Sequence, residues 1–352
     1  MIGPFDHPWL GALFADAEAT AIWGPDQQMA HMLAFEAAYT HALGHTGKID
    51  AAAAKALALR IASFKPDMTD LRTGTARDGL VIPALIAQLR RVIDHDSGSI
   101  HTGTTSQDVI DTALSMTVRD FNDLLDHRIA AVVDAFEDLT TRFGDTAIMG
   151  RTRMQAAMPI KLSDRLVTWK QPMVAHRLRL KTLRPTVECL QLGGAAGDRA
   201  ALAPHTDKLA AHMAEALGLH NPPHVWHAMR DGIVEYASLL SLISGSLGKF
   251  GQDITLMAQQ GVREVTLKGG GGSSAMPHKQ NPVLAELLVT LARFNATQVS
   301  GMHHALVHEQ ERSGVAWTLE WMILPQMAQA TARSLAVATE ICGKISRLGN
   351  PA

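Results

Sequence analysis

The feature that most constrains the fold is a long helical stripe in the first half of the chain. Apolar side chains recur at helical spacing from Ile110 to Leu139. This spacing predicts one helix roughly 50 Å long, at about 1.5 Å per residue. Four later segments repeat the pattern, and Pro325 is expected to kink the last of them: 161–183, 231–260, 282–309 and 318–345.

These long patterns are apolar around much of their circumference, which is typical of helices buried in a bundle or between subunits. We therefore expect an elongated bundle and a homo-oligomer. Shorter helical patterns at 26–45 and 50–63 indicate a compact helical unit before the bundle. The predicted organisation is a small helical N-terminal domain (1–98), a central bundle (99–345) and a short tail (346–352).

Composition supports an all-α fold. Aromatic residues are only 5% of the 352 residues, whereas Ala, Leu and Met are abundant. The formal net charge of −2 does not favour nucleic acid or an anionic membrane as a partner, so a small-molecule ligand is expected. Only Cys189 and Cys342 are present, which argues against a disulfide framework and agrees with a reducing cytoplasm.

Neither export nor membrane insertion is expected. The N-terminus, MIGPFDHPWL, lacks the basic start and apolar run of a secretory signal. The most apolar stretch, 233–247, is interrupted by Glu235 and is too short to cross a bilayer. The prediction is a cytoplasmic protein with no membrane span.

The segment GGGGSSAMPHKQNP (269–282) is the most informative stretch for function. Its glycines give a mobile backbone, and its serines, lysine and asparagine supply hydroxyls, a cation and an amide. It is interpreted as a closing catalytic loop, with a flexible linker before a helix as the alternative. It lacks a Gly-Lys-Ser/Thr ending and no strand is predicted before it. LGGAAGD (192–198) lacks dinucleotide spacing, so no cofactor is expected.

SSAMPHKQNP resembles the signature of the fumarase/aspartase superfamily. HTGTTSQDVIDT (101–112) and GRTRMQAAMP (150–159) are similar to two further shared regions of that superfamily. Within it, VWHAMRD (225–231) and HEQERSGVAWTLEWMILP (308–325) resemble the branch of bacterial carboxymuconate cycloisomerases. The resemblance implies addition or elimination at a carbon-carbon double bond beside a carboxylate.

The same resemblance implies an architecture: a small helical N-terminal domain, a long central bundle and often a C-terminal helical domain. Here that third domain is expected to be truncated or missing. The resemblance further implies a homotetramer, in which three subunits contribute to each active site. The substrate is expected to be a polycarboxylate.

By resemblance, Ser273 handles the proton while Lys279 and Asn281 hold the carboxylate whose charge grows during the reaction. A serine becomes a competent base only when amides or a cation stabilise its alkoxide, and this loop provides such groups. Ser274 and His278, in the same loop, are expected to contact substrate. Helix N-capping is the alternative role for either serine.

Arg153 stands where the lyases of the superfamily usually have a histidine. Arginine stays protonated, so Arg153 is no general acid, although it suits a bidentate contact with a carboxylate. In the reverse of a lactonization the leaving group is a carboxylate with a conjugate acid pKa of about 4, which leaves without much help. A tricarboxylate also needs several cations; Arg151, Arg153, Lys279 and Arg312 are candidates, with structural ion pairs as the alternative.

The segment before the long helix is predicted to bind a carboxylate through hydroxyls and helix N-terminal amides. Its candidates are Thr104, Thr105 and Ser106, with capping as the alternative role. By resemblance, Gln155 supplies an amide to substrate. His101 matches a histidine near the active site and could relay a proton, unless it is a surface residue.

No metal site is predicted. His304 and His308 share a helical face beside His303, but no third ligand with fixed spacing accompanies them. Trp317 and Trp321, one turn apart, are predicted to pack in the bundle. Two rival functions stay open: an elimination like that of adenylosuccinate lyase, and a non-catalytic scaffold such as the lens crystallins derived from this superfamily.

Overall fold

The computed structural model describes residues 3–92, 99–269, 271–272, 276 and 279–350. These residues form mostly helices, with two small pairs of strands. The helices are α1 Gly11–Phe14, α2 Ala17–Trp23, α3 Pro25–His45, α4 Ala51–Ala62, α5 Met68–Asp78, α6 Ile82–Val92, α7 Ser106–Phe143, α8 Leu162–Val187, α9 Thr206–Leu217, α10 Asp231–Met257, α11 Val283–Ala305 and α12 Gly314–Lys344. The strands are β1 Ala147–Thr152, β2 Gln155–Lys161, β3 Val265–Leu267 and β4 Ile345–Leu348.

The long helices form the predicted bundle. Helix α7 has 38 residues, which corresponds to about 57 Å. The predicted long segments match α8, α10, α11 and α12, and α12 continues through Pro325. Their shared core includes Phe136, Trp169 and Phe250, whose rings pack edge to face or tilted. The all-helical prediction is confirmed.

The N-terminal helices have a separate apolar core, formed by side chains from α3 to α6 and from the first turns of α7. Side chains supply the caps: Asp50 accepts from Ala53 N at 2.8 Å at the start of α4, and Asp67 does the same for α5. Helix α9 also contributes to this core. A segment from the middle of the chain therefore packs on the N-terminal unit, while the domain boundary at residue 98 stays a prediction.

The strands were not predicted. β1 and β2 form an antiparallel hairpin that includes the GRTRMQAAMP segment. β3 forms a second antiparallel pair with β4. The expectation that no strand precedes the glycine-rich loop was wrong, because β3 ends two residues before Gly269. Its partner β4 lies about 80 residues later, at the junction of the predicted bundle and the predicted tail, so no local pattern indicates the pairing. The glycine-rich loop still does not match a phosphate-binding loop, because it lacks the Gly-Lys-Ser/Thr ending.

Of the helices within the described ranges, none is both long and apolar enough to pass through a membrane.

Candidate active site

The segment before α7 presents three hydroxyl side chains at a helix N-terminus. Helix α7 begins at Ser106, with Thr105 as its N-cap, and Thr104, Thr105 and Ser106 are all half-buried. The unpaired amides of the first turn and the helix dipole favour an anion at this position. The structure therefore agrees with a carboxylate-binding role. It also agrees with the capping role, because Thr105 and Asp108 form a capping box in which Asp108 accepts from Thr105 N at 3.0 Å.

His101 is held by a buried carboxylate that the sequence analysis missed. Its Nδ1 lies 2.6 Å from Oε1 of Glu36 on α3, and Thr104 Oγ1 is 3.1 Å from the same nitrogen. The Glu36 side chain is fully buried and that of His101 is 14% exposed. His101 is therefore no free surface residue. No local signal could have found Glu36, which lies 65 residues earlier on another helix.

Asp108 joins the start of α7 to two distant segments. Its buried carboxylate accepts from Gly193 N at 2.7 Å and Gly194 N at 2.9 Å, and His227 Nε2 lies 2.8 Å away. A Cβ at position 193 would come within 2.6 Å of Val225 Cγ1, so only glycine fits there. These bonds explain why the LGGAAGD and VWHAMRD segments lie beside the candidate site.

Arg312 reaches the same end of α7 from the loop between α11 and α12. Its Nε donates to Gln107 Oε1 at 2.8 Å, and its Nη2 donates to the Ala195 carbonyl at 3.1 Å. Gln107 is buried and in turn donates to Asp111 at 3.1 Å. Arg312, predicted as a cation from a segment about 200 residues later, thus contacts the first turn of α7 through Gln107.

A buried ionic cluster lies behind this cation. Arg230 is fully buried between Asp111, at 2.8 Å, and Glu320, at 2.5 Å, while Trp317 Nε1 donates to Asp111 at 3.0 Å. Burial opposes the charge of Arg230, but attraction to Asp111 and Glu320 outweighs it and raises the pKa of Arg230. Burial likewise opposes the charge of Glu320, yet Arg230 lowers its pKa overall.

Arg230 and Glu320 are therefore held in their charged forms, and the cluster joins α7 and α12 to the start of α10. Trp317 is buried and packs against Trp321 with ring centroids 4.7 Å apart. The His308 side chain is buried with its Nε2 3.6 Å from Glu320 Oε1. Sequence reasoning missed Arg230, Asp111 and Glu320, although VWHAMRD was singled out.

The hairpin of β1 and β2 presents Arg151, Arg153 and Gln155 on an exposed surface. Arg153 and Met154 form its two-residue turn with φ of 49° and 67°, and Thr152 pairs with Gln155. Arg151 forms an ion pair with buried Glu264, the structural alternative that the sequence left open. Among the described residues Arg153 has no ion pair, so its guanidinium is available for a ligand.

The base of the signature loop is closed by a backbone bridge. Gly271 N donates to the Asn281 carbonyl at 3.1 Å, and Asn281 N donates to the Gly271 carbonyl at 3.0 Å. A Cβ at position 271 would lie 2.4 Å from Val283 Cγ2, so the bridge requires glycine. Lys279 is exposed and Asn281 half-buried. Ser273, Ser274 and His278 lie outside the described residues.

A family model described as lyase matches residues 17–301, which is most of the chain. The chain belongs to this lyase family. The predicted fumarase/aspartase membership is thereby confirmed, and the order of the three signature segments agrees with it.

Curated relatives and solved structures agree. The chain is 37% identical over 332 residues to a 3-carboxy-cis,cis-muconate cycloisomerase of Pseudomonas aeruginosa, which covers 92% of this chain and 72% of the relative. The crystal structure of 3-carboxy-cis,cis-muconate lactonizing enzyme from Pseudomonas putida superposes with a TM-score of 0.89 at 33% identity, covering 97% of this chain and 77% of that one. The N-acetyl-S-(2-succino)cysteine lyase of Enterococcus italicus is 29% identical, covering 93% and 73%.

In this lyase-family chain the candidate residues fall into two groups at opposite ends of the bundle. His101, Thr104, Thr105, Ser106 and Arg312 form the near group, at the N-terminus of α7. The far group contains Arg151, Arg153, Gln155, Lys279 and Asn281. Hairpin β1–β2 starts just after α7 ends, and Asn350 N donates to the Ala147 carbonyl at 3.2 Å beside the β3–β4 pair. The groups are thus separated by about the 57 Å length of α7.

Proposed function

We propose that this chain closes 3-carboxy-cis,cis-muconate to 4-carboxymuconolactone, a step in protocatechuate degradation. The observation that carries the proposal is the 37% identity to a 3-carboxy-cis,cis-muconate cycloisomerase across 92% of this chain. The fit to the lactonizing enzyme of Pseudomonas putida, with a TM-score of 0.89, supports it.

The reaction is an intramolecular addition. A carboxylate oxygen of the substrate forms a bond to one alkene carbon, the double bond opens, and the adjacent carbon takes up a proton. No electron is gained or lost, so the balance requires only one proton and no cofactor. The Ser273 side is proposed to deliver this proton, and Lys279 and Asn281 to hold the carboxylate next to the protonated carbon. The role of Ser273 is based on the signature motif.

Charge placement supports a tricarboxylate substrate. The near group offers Arg312 and the amides and hydroxyls at the start of α7, which suit one carboxylate. The far group offers Arg153, which has no ion pair within the described part of the chain, and the exposed Lys279. With Arg153 replacing a histidine, the site retains a cation for binding and loses a general acid for an amine leaving group. This exchange favours lactonization.

A single chain holds these groups too far apart for one substrate molecule, which supports a shared site. We infer the homotetramer of the superfamily, with three subunits contributing to each site. Exposed apolar side chains along α8 suit such packing: Val167, Val174 and Leu178 are 43%, 44% and 66% exposed.

The rival activity is β-elimination. The 29% identity to N-acetyl-S-(2-succino)cysteine lyase keeps a succinyl-type substrate as the second candidate. An elimination that releases an amine or a thiol benefits from a general acid, and Arg153 cannot supply one.

Purified protein mixed with 3-carboxy-cis,cis-muconate tests the proposal. Loss of the diene absorbance and appearance of lactone signals by NMR are expected. The Ser273→Ala variant should lose at least about a hundredfold in kcat, the scale of one positioned proton-transfer group. Ser63→Ala, on the exposed end of α4, is the matched control and should keep native turnover. Fumarate release from adenylosuccinate or a succinocysteine, without lactone formation, would replace the proposal by the elimination.

A further inference from the structure

Glu36 and His101 form a pair whose geometry fixes the state of the imidazole. Nδ1 of His101 is 2.6 Å from Oε1 of Glu36, and the Glu36 side chain is fully buried. An ionised carboxylate can only accept a hydrogen bond, so the proton of this bond belongs to Nδ1. In neutral His101 the other nitrogen, Nε2, then carries a lone pair at the opposite edge of the ring.

Within the described part of the chain, the Glu36 carboxylate has few hydrogen-bond partners besides His101. Its second oxygen, Oε2, is buried and has no hydrogen-bond partner among the described residues. Burial first, and then the negative charges of Glu36 and Asp108, raise the pKa of Tyr39. Tyr39 therefore keeps its proton and donates it to the Thr102 carbonyl. A buried carboxylate with so few partners costs folding free energy, which is typical of a functional position.

The backbone around His101 is fixed on both sides of the residue. His101 has φ of 60°, a left-handed conformation that non-glycine residues rarely adopt without a constraint. Arg90 Nη2 donates to the Ile100 carbonyl at 2.8 Å, and the Tyr39 hydroxyl bonds the carbonyl of Thr102. The loop therefore presents the imidazole in one orientation, beside Thr104.

We propose that Glu36 is the positioning residue of His101: its carboxylate locks the imidazole in the Nδ1–H tautomer, so that Nε2, which has no hydrogen-bond partner within the described part of the chain, can exchange a proton during the reaction. The proton transfer assigned to His101 rests on the proposed lactonization. The tautomer itself is a property of the substrate-free protein. Of the other titratable groups in the described ranges, Tyr39 interacts with the charges of Glu36 and Asp108, and Arg90 bonds the carbonyl that precedes His101.

The test is Glu36→Gln, which preserves side-chain shape while adding an N–H donor. Since this amide can donate to Nδ1, the variant should populate the Nε2–H tautomer of His101, as seen in the ¹⁵N spectrum of histidine-labelled protein assigned with His101→Asn. Turnover should fall by about tenfold to a hundredfold, with KM within about twofold, because one proton-transfer group is misoriented. Glu36→Asp should restore the tautomer and part of kcat, and exposed Glu137→Gln should change neither.

A native spectrum with the proton on Nε2 would overturn the proposal, as would a Glu36→Gln variant that keeps both the native tautomer and the native kcat. If Glu36→Gln does not fold, the native spectrum and Glu36→Asp decide. Failure of the proposed function is distinct: a native protein inactive on carboxymuconate would still show the Nδ1–H tautomer.

Discussion

Among the described residues, Arg151 forms an ion pair and Arg153 does not. Arg151 is committed to buried Glu264, whereas Arg153 lies at the exposed tip of the hairpin and forms no ion pair within the described ranges. An unpaired guanidinium on a fixed two-residue turn can make a bidentate contact with a carboxylate from another molecule. We therefore assign substrate binding to Arg153 before Arg151.

Replacing Arg153 by histidine should raise KM for carboxymuconate by about tenfold or more, because one charge-assisted contact is lost. Steady-state kinetics at pH 8, where most of the new histidine is neutral, provide the measurement. Arg77→His is the matched control, since Arg77 is exposed and pairs only with Asp78 in the N-terminal helices. Unchanged turnover and KM would refute a specific binding role for Arg153.

At this scale the sequence predicted cations and hydroxyls but not the residues that hold them. Arg312 and Thr105 occur in recognisable segments, so their proximity to α7 could be expected. Gln107 lies in the recognisable segment 101–112, but its contact with Arg312 is created by tertiary folding. Glu36 has no local pattern at all. Three predicted residues, Ser273, Ser274 and His278, lie outside the described residues and stay predictions.

At the scale of elements, the contact between α8 and α10 contains a buried histidine. His176 on α8 is 3% exposed, and its Nε2 lies 2.9 Å from Ser246 Oγ on α10. Burial, and then the charge of Arg179, lower the pKa of His176 to about 4. The contact is therefore built around a neutral imidazole.

This contact should make stability depend on pH. The unfolded histidine titrates at about 6.5, so below that pH the unfolded chain binds a proton that the folded chain refuses. Stability is full above about pH 6.5 and falls by up to about 3 kcal/mol as pH drops to 4. Denaturant unfolding at several pH values should show that His176→Gln reduces this slope, while exposed His127→Gln leaves it intact. An unchanged slope in His176→Gln would contradict the assignment.

Helices could be predicted closely, while the hairpin could not. The five long patterns end within a few residues of α7, α8, α10, α11 and α12, because each helix buries a continuous apolar stripe. In β2 nearly every side chain is exposed, so no alternation of apolar and polar residues announces a strand. Its turn, Arg153-Met154, also lacks the glycine or asparagine that marks a typical two-residue turn.

At the scale of the whole molecule, the two groups of site residues belong to different ends of each chain. If each site combines ends from different subunits, two inactive variants should complement each other. Ser273→Ala and Arg312→Ala, unfolded together and refolded as a mixture, should regain about a quarter of native activity, since random assembly leaves that share of sites with both native residues. Each variant refolded alone should stay inactive.

Thr104→Ala mixed with Arg312→Ala is the matched control. Both residues lie at the N-terminal end of α7 in one chain, so every site built from that end carries one defect and no activity should return. Recovery in the control, or none in the first mixture, would contradict a site shared in this way.

The length of α7 has a consequence for when the chemistry can begin. Each chain carries the two groups of candidate residues at opposite ends of this 38-residue helix, about 57 Å apart. If the site is shared between subunits as proposed, a single copy has no complete site, so dilution should abolish turnover without unfolding any helix. Turnover per chain would then depend on protein concentration. The length of α7 would prevent an isolated chain from acting on its substrate with only part of a site.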